Sequence, residues 1–259
     1  MAKILVTHGI FLPNEEFYEQ TERSIKSLNI LLETTSPEHE LTFRFCGFIN
    51  NNIDLYNECL SKFNGRRLSV PLSINYGKAY CINNISNDID NFDYMFSMDG
   101  DIMINETKNS FIDTLVQSSI QLSLHDNKPF GVLGIEQTLN SCHIYKDLQN
   151  TFESNSFRFK RSNNNHINIA GGAVFVSAQA WKDIGGYRIC NVYGADDAYL
   201  FFDSQSKGYS IALLHNKISV THPMPFNRDY DQWKVNEIQK DLSREAYLKN
   251  VKLSTQMWK

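Results

Sequence analysis

Nothing in this 259-residue sequence is long and apolar enough to cross a bilayer, since no run approaches the roughly 18 residues a span requires. The N-terminus, Met1-Ala-Lys-Ile-Leu-Val-Thr7, carries a charge at its third position and has no room for a signal peptide's apolar region and cleavage site. It predicts a first strand and a cytoplasmic protein. The five cysteines (Cys46, Cys59, Cys81, Cys142 and Cys190) are odd in number and show no C-x-x-C spacing. That argues against structural zinc and a disulfide framework, and predicts buried free thiols. An excess of positive charge is also missing: Lys plus Arg is 25 against 29 Asp plus Glu, a net of −4. Nucleic acid is therefore not the default partner, although Arg158-Phe-Lys160-Arg161 forms a local basic stretch. There is no Walker loop, no G-x-S-x-G elbow and no G-x-G-x-x-G after the first strand, so dinucleotide binding is not indicated. What is present is 42% apolar and 12% aromatic residues, enough to bury the core of one sizeable domain.

The hydrophobic pattern alternates between strand and helix. Lys3 to Thr7 is a short apolar run that should open into a loop, His8-Gly-Ile-Phe-Leu-Pro13. Asn14 then offers an N-cap with Glu15 and Glu16 in the first turn. Phe17, Thr21, Ile25, Leu28 and Leu32 follow at helical spacing, predicting one helix of about 18 residues. Strands are expected near Leu41–Ile49, Arg67–Leu72 and Phe92–Met98, with helices near Asp54–Phe63, Gly77–Ser86 and Thr107–Leu124. Beyond that the pattern loosens: Gly131–Ile135 and Ala173–Val176 are strand-like, with an Asn-rich stretch between them. Residues 195–208 read as a helix, two short strands flank Asn216, and the tail from Asp229 reads as a polar helix. Such alternation predicts an α/β fold, a mainly parallel sheet flanked by helices on both faces. Ligands of such sheets bind at the carboxyl ends of the strands. The loops after Thr7, Ile49, Leu72 and Met98 should therefore converge on one site.

One motif stands at such an end. Ser97-Met-Asp99-Gly-Asp101 follows the apolar fourth strand, and two carboxylates at i and i+2 in a turn can reach one divalent cation together. The sequence holds two other D-x-D triplets, Asp88-x-Asp90 and Asp229-x-Asp231, which read as surface carboxylates. Position separates Asp99 and Asp101 from them. Asp196 and Asp197, in Tyr193-Gly-Ala-Asp-Asp, stand at a predicted helix start, where negative charge is favourable in itself. One of them could also serve as general base for a hydroxyl, with the other binding an acceptor. His222, in Thr221-His-Pro223, follows a strand where an imidazole could ligate a metal or simply sit in a loop.

In this order the features resemble the GT-A fold nucleotide-sugar glycosyltransferases, particularly inverting family 2 and its galactosyltransferase-like relatives. The resemblance runs from residue 3 to about 225. Asn75-Tyr-Gly77-Lys78-Ala79-Tyr-Cys-Ile-Asn83 is similar to the family's N-x-G-x-x-x-A-x-N stretch, with Cys81 near the usual alanine. Asp99-Gly-Asp101 resembles its D-x-D strand end. Gly171-Gly172-Ala-Val-Phe175, followed by Trp181-Lys-Asp-Ile-Gly185-Gly186-Tyr187, resembles the donor-sugar segment and its Gly-Gly-aromatic turn. Tyr193-Gly-Ala-Asp196-Asp197 is similar to W-G-x-E-D, and His222 falls where many members carry a metal-ligating histidine. Where the family usually has acidic residues after the second strand, this chain has Asn50 and Asn51.

The resemblance implies a single GT-A domain over residues 1–259: a nucleotide-binding half (1–105), a donor-sugar and acceptor half (106–228) and a helical tail (229–259). It implies a metal-dependent, inverting transfer of a hexosyl or pentosyl group from a nucleoside-diphosphate sugar, a UDP-sugar first, to a saccharide hydroxyl. Asp99, Asp101 and His222 would hold Mn²⁺ or Mg²⁺, and Asp197 would be the base. Asp196, Gly171, Gly172 and Tyr193 would line the donor sugar and acceptor. Thr7, His8, Asn50, Asn75, Lys78 and Asp99 would hold the nucleotide. A hydroxymethylated base in DNA is the alternative acceptor, met by Phe157, Arg158, Phe159, Lys160 and Arg161. A nucleotidyltransferase, or a non-catalytic protein that binds a nucleotide sugar or glycan, are readings from other classes.

Overall fold

The computed structural model describes residues 1–138, 150–161, 172–189 and 196–222. The strands in chain order are β1 (Ala2–Phe11), β2 (His39–Phe48), β3 (Arg67–Leu72), β4 (Tyr94–Met98), β5 (Met103–Ile104), β6 (Phe130–Ile135), β7 (Gln137–Thr138), β8 (Asn150–Ser154), β9 (Phe157–Arg161), β10 (Ala173–Ser177), β11 (Ser210–His215) and β12 (Val220–Thr221). The helices, numbered likewise, are α1 (Tyr18–Ser27), α2 (Asn29–Thr34), α3 (Ile53–Ser61), α4 (Lys78–Ile85), α5 (Phe111–Asp126), α6 (Ala178–Ile184) and α7 (Asp196–Ser206).

Nine strands form one sheet in the order β3-β2-β1-β4-β10-β6-β11-β9-β8, and β5-β12-β7 form a second, small one. β3, β2, β1 and β4 are parallel. β10 runs antiparallel to both β4 and β6, so the sheet is mixed, while β6 and β11 are again parallel. The central strands are apolar on both faces, as strands covered on both sides must be: Ile4, Leu5, Val6, Met95, Phe96, Val174 and Phe175 are all buried. One face packs on a core with Ile25, Leu31, Tyr56, Leu60, Phe111 and Leu115, from α1, α2, α3 and α5. The other packs on Tyr80, Ile82, Ala180, Trp181, Leu200 and Phe201, from α4, α6 and α7. Cys46, Cys59 and Cys81 are buried free thiols. Among the described residues no helix is long and apolar enough to cross a membrane.

Three local expectations are corrected. β1 does not end at Thr7. It pairs with β2 as far as Phe11, so Thr7 and His8 lie inside the strand with buried side chains. The first helix is broken at Leu28, where the Ser24 hydroxyl donates to Ile102 O and the Ser27 hydroxyl to Ser24 O. Ser27 Oγ in turn accepts from Ile104 N at 3.0 Å. Side chains bonded to backbone inside a helix bend it. The Asn-rich stretch before β10 contains a hairpin, β8–β9, turned by Asn155 (φ 47°) and Ser156 (φ 72°), the left-handed pair that suits a two-residue turn. The polar helix expected from Asp229 lies outside the described residues.

Candidate active site

The site is built where β4 ends. Asp99 N donates to Gly172 O at 2.8 Å, which fixes the first carboxylate beside the start of β10. Gly100 then passes so close to β1 that a Cβ there would stand 2.3 Å from Gly9 O, so only glycine lets the turn carry Asp101 past the strand end. Across the cleft, Gly77 (φ 81°, ψ 163°) turns the chain into α4, and its N–H donates to Asn75 Oδ1 at 3.1 Å. The first residue of α4 is Lys78.

Lys78 is the centre of the arrangement. Its ammonium lies 2.8 Å from Asp99 Oδ1 and donates to Asp197 Oδ1 at 2.7 Å. The contact with Asp99 is an ion pair off the hydrogen-bonding angle, for Oδ1 accepts no aligned hydrogen bond. The same ammonium stands 5.1 Å from the ring centre of Tyr187, in cation–π range. Tyr187 is held in turn by α4: Asn83 Nδ2 donates to Tyr187 O at 2.8 Å and Tyr187 N donates to Asn83 Oδ1 at 2.9 Å. Asp197 lies in the first turn of α7, where the helix dipole favours a carboxylate. Asp99 keeps 32% of its side chain exposed, but Oδ1 is shut off from water. Desolvation lifts its carboxyl from the usual range to about 7, the Lys78 ammonium pulls it down, and the Asp197 and Asp101 charges push it up again.

The small sheet supplies the third corner. β12 pairs antiparallel with β5, Thr221 opposite Met103, so the residue after β12 returns to the turn that follows β4. His222 Nε2 lies 3.5 Å from Asp101 Oδ2, and both side chains are largely covered. Asn105 secures this return: Thr221 Oγ1 donates to its Oδ1 at 2.6 Å, and its Nδ2 donates to Ser219 Oγ at 2.8 Å. Sequence reasoning expected a short strand after Asn216, which is β12, but missed the role of Asn105 and the two-residue β5, since nothing so short carries a periodic signal. Among the described residues no three His, Cys, Asp or Glu side chains already form a metal cage.

Other residues named from the sequence fall elsewhere. His8 is fully buried, its Nε2 2.8 Å from Ser24 Oγ and its ring 5.5 Å from that of Phe45. Because the Ser24 hydroxyl donates to Ile102 O, its oxygen must accept from His8 Nε2–H, leaving Nδ1 without a partner. Burial holds this imidazole at a pKa of about 3, so it stays neutral. Asn50 (φ 44°) is exposed in a left-handed turn after β2, and its Nδ2 donates to Pro13 O at 3.0 Å. Asn52 Nδ2 donates to Leu12 O and Pro13 O, so the asparagines tie the ends of β1 and β2 together. Gly171, Tyr193 and the side chain of Asp196 lie outside the described residues. The basic stretch is internally compensated: Arg158 pairs with Glu153 across the hairpin, and Arg161 grips Asp126 with both terminal nitrogens while donating to Ile211 O.

No protein-family model matches this sequence, and a search of curated proteins finds none that matches significantly. Solved structures do. Staphylococcus aureus TarS, residues 1–349, is similar at 14% identity and a TM-score of 0.54, over 85% of this chain and 60% of that one. The same protein in complex with UDP-GlcNAc is similar at 13% identity and a TM-score of 0.53, over 87% of this chain and 60% of that one. The mannosyltransferase PcManGT from Pyrobaculum calidifontis, in complex with GDP-Man and Mn²⁺, is similar at 13% identity and a TM-score of 0.55, over 91% of this chain and 61% of that one. This chain thus spans under two thirds of the length of these neighbours. The mixed sheet, its strand order and these likenesses together show that the chain has a GT-A-like glycosyltransferase fold.

Proposed function

We propose that the protein is a metal-dependent, inverting glycosyltransferase that moves a sugar from a nucleoside-diphosphate donor, a UDP-sugar first, to a saccharide hydroxyl in the cytoplasm. One observation carries the reading: a single ammonium, Lys78, joins the carboxylate at the end of β4 to the carboxylate at the start of α7. A strand-end D-x-D and a helix-start carboxylate brought to one point support a reading in which a diphosphate binds there with a base beside it.

The residues present fit a divalent cation. Asp101 and His222 offer an oxygen and an imidazole nitrogen side by side, and Asp99 adds a carboxylate whose Oδ1 is not satisfied by an aligned hydrogen bond. Two or three such ligands suit an ion that completes its shell with diphosphate oxygens and water. The imidazole favours Mn²⁺ over Mg²⁺, which keeps to oxygen. When bound, the cation would neutralise the charge that grows on the departing nucleoside diphosphate. Asn50, whose amide nitrogen is engaged by Pro13, keeps its Oδ1 as an acceptor for a base N–H such as that of uracil. Asn75 and Lys78 would flank the diphosphate, with Gly172 and the Gly171, Asp196 and Tyr193 positions around the sugar. Thr7 and His8 would support the nucleotide only from beneath, through the strand. Asp197 would take the proton from the acceptor hydroxyl as its oxygen bonds to C1 from the face opposite the diphosphate. The C1–O bond to the diphosphate breaks, and its electron pair leaves with the phosphate oxygen. Lys78 would hold the Asp197 carboxylate on the donor side of the cleft.

The test is thermal melting with Mn²⁺ and a panel of UDP, GDP, ADP and CMP, followed by donor turnover. One nucleotide should raise the melting temperature only with Mn²⁺, and Asp101→Asn should abolish the shift. Asp197→Asn should keep the shift yet lower transfer by about 10²–10⁴. No shift with any nucleotide would move the reading to a binding protein, and full transfer by Asp197→Asn would remove the base from Asp197.

A further inference from the structure

A second pair of side chains stands at the same edge of the sheet. The ladder hydrogen bonds run one residue past the strand ends. Asp99 N donates to Gly172 O at 2.8 Å, and Glu136 N donates to Leu214 O at 3.2 Å. With Ala173 opposite Met98, Val174 opposite Gly134 and Leu214 opposite Ile135, the residues Asp99, Gly172, Glu136 and His215 share one level across β4, β10, β6 and β11. Strand spacing puts the Glu136 backbone about 10 Å and the His215 backbone about 14 Å from that of Asp99. Met98, Ile135 and Leu214 all face the α1–α3–α5 core, so the residues that follow them turn to the face of α4 and α7. α7, which carries Asp197, lies on β6 and β11 themselves.

There His215 Nδ1 meets Glu136 Oε1 at 2.5 Å, while Glu136 Oε2 accepts from Asn216 N at 3.4 Å. The carboxylate can only accept in this pair when ionised, so Nδ1 carries the hydrogen and the ring is held in one orientation. Nε2 has no partner among the described residues, and both side chains are about one quarter exposed, at 26% and 25%. A carboxylate-oriented imidazole with one nitrogen left over, level with Asp99 at the same edge of the sheet, is a hydroxyl-binding device.

We propose that Glu136 and His215 form a saccharide subsite in which His215 Nε2 binds a hydroxyl of the acceptor other than the one that reacts. This rests on the glycosyl-transfer reading given above. Glu136 is a positioning residue, acting through His215. The rival role, a latch for the left-handed turn at Asn216 (φ 87°), needs only the Nδ1 link. Two variants separate the roles. His215→Asn can place an amide N–H where Nδ1 lies and has nothing in place of Nε2. His215→Gln reaches the Nε2 position but not Nδ1.

The experiment is ligand-observed saturation-transfer NMR on the full chain with diamagnetic Mg²⁺, UDP and the methyl glycosides of glucose, galactose, mannose and N-acetylglucosamine. The native chain should bind UDP and at least one glycoside. His215→Asn should weaken that glycoside by about three- to tenfold with UDP unchanged, and His215→Gln should retain more of it. Equal glycoside binding by His215→Asn and the native chain would overturn the subsite, as would no glycoside signal while UDP binds. Absence of UDP binding would instead reject the donor reading, and the subsite with it.

Discussion

At the scale of the residue, the environment of a side chain decides its chemistry more than its type does. His8 and His222 are both histidines beside the fourth strand's end, yet one is sealed between β1 and α1 and the other rests against Asp101. The sealed one has a measurable consequence. An imidazole held near a pKa of about 3 when folded and near 6.5 when unfolded leaves the unfolded chain binding more protons between those values. The stability it contributes is therefore complete above about pH 6.5 and lost as pH falls toward 3, by up to about 1.4 kcal/mol per pH unit. His8→Gln, which can still donate to Ser24, should flatten the acid limb of a plot of unfolding free energy against pH. An unchanged slope between pH 6 and 4 would show that other groups control acid unfolding. Lys78 illustrates the same point in reverse. The family resemblance assigned it to the nucleotide, and its partners also make it the tie between two carboxylates.

Elements no larger than two residues do work that the long ones cannot. β1 to β4 carry the fold, but it is β12, pairing with β5 and β7, that returns the chain to Asp101. The prediction at this scale concerns Asn105, whose side chain joins Ser219 and Thr221 and touches no expected ligand atom. Asn105→Ala should lower Mn²⁺ affinity, followed by calorimetry with UDP present, by about tenfold or more, as loss of a ligand's support does. It should cost only about 1–3 kcal/mol in stability, the scale of its lost hydrogen bonds. Equal Mn²⁺ affinity in the variant would mean that His222 is placed without the small sheet. Much of the larger pattern was legible. Arg67–Leu72 is a strand with the predicted bounds, and α4 and α7 lie within two residues of the predicted ones. α6 was passed over although Ser177, accepting from Ala180 N, and Gly185 (φ 78°) mark its two ends.

For the whole molecule, charge balance is read correctly only in three dimensions. Phe157-Arg-Phe-Lys-Arg161 looks like a phosphate-binding row on paper, but it is the inner strand of the edge hairpin, with Arg158 and Arg161 each bonded to a carboxylate. The chain should accordingly show no salt-dependent binding of duplex DNA by fluorescence anisotropy. Arg161→Ala should instead destabilise the fold by about 1–3 kcal/mol, since it strips Asp126 and Ile211 O of their donor. A steep dependence on salt that Arg158→Ala makes shallower would restore nucleic acid as a partner.

The class of fold and the strand-end place of Asp99 and Asp101 are legible in the apolar pattern of the chain. Buried parallel strands demand continuous apolar runs, helices demand a spaced face, and a polar pair just past such a strand has only the cleft to occupy. Three contacts are visible only once the chain is folded. One is that Asp99 and Asp197, 98 positions apart, meet on Lys78. Another is the contact of His222 with Asp101, which the family resemblance implied only as two ligands of one metal. The third is that Glu136 orients His215, a residue the sequence did not single out. The physical reason is common to all three. Each contact joins ends of different strands or helices, and such pairings follow from sheet order and register, which local periodicity does not encode.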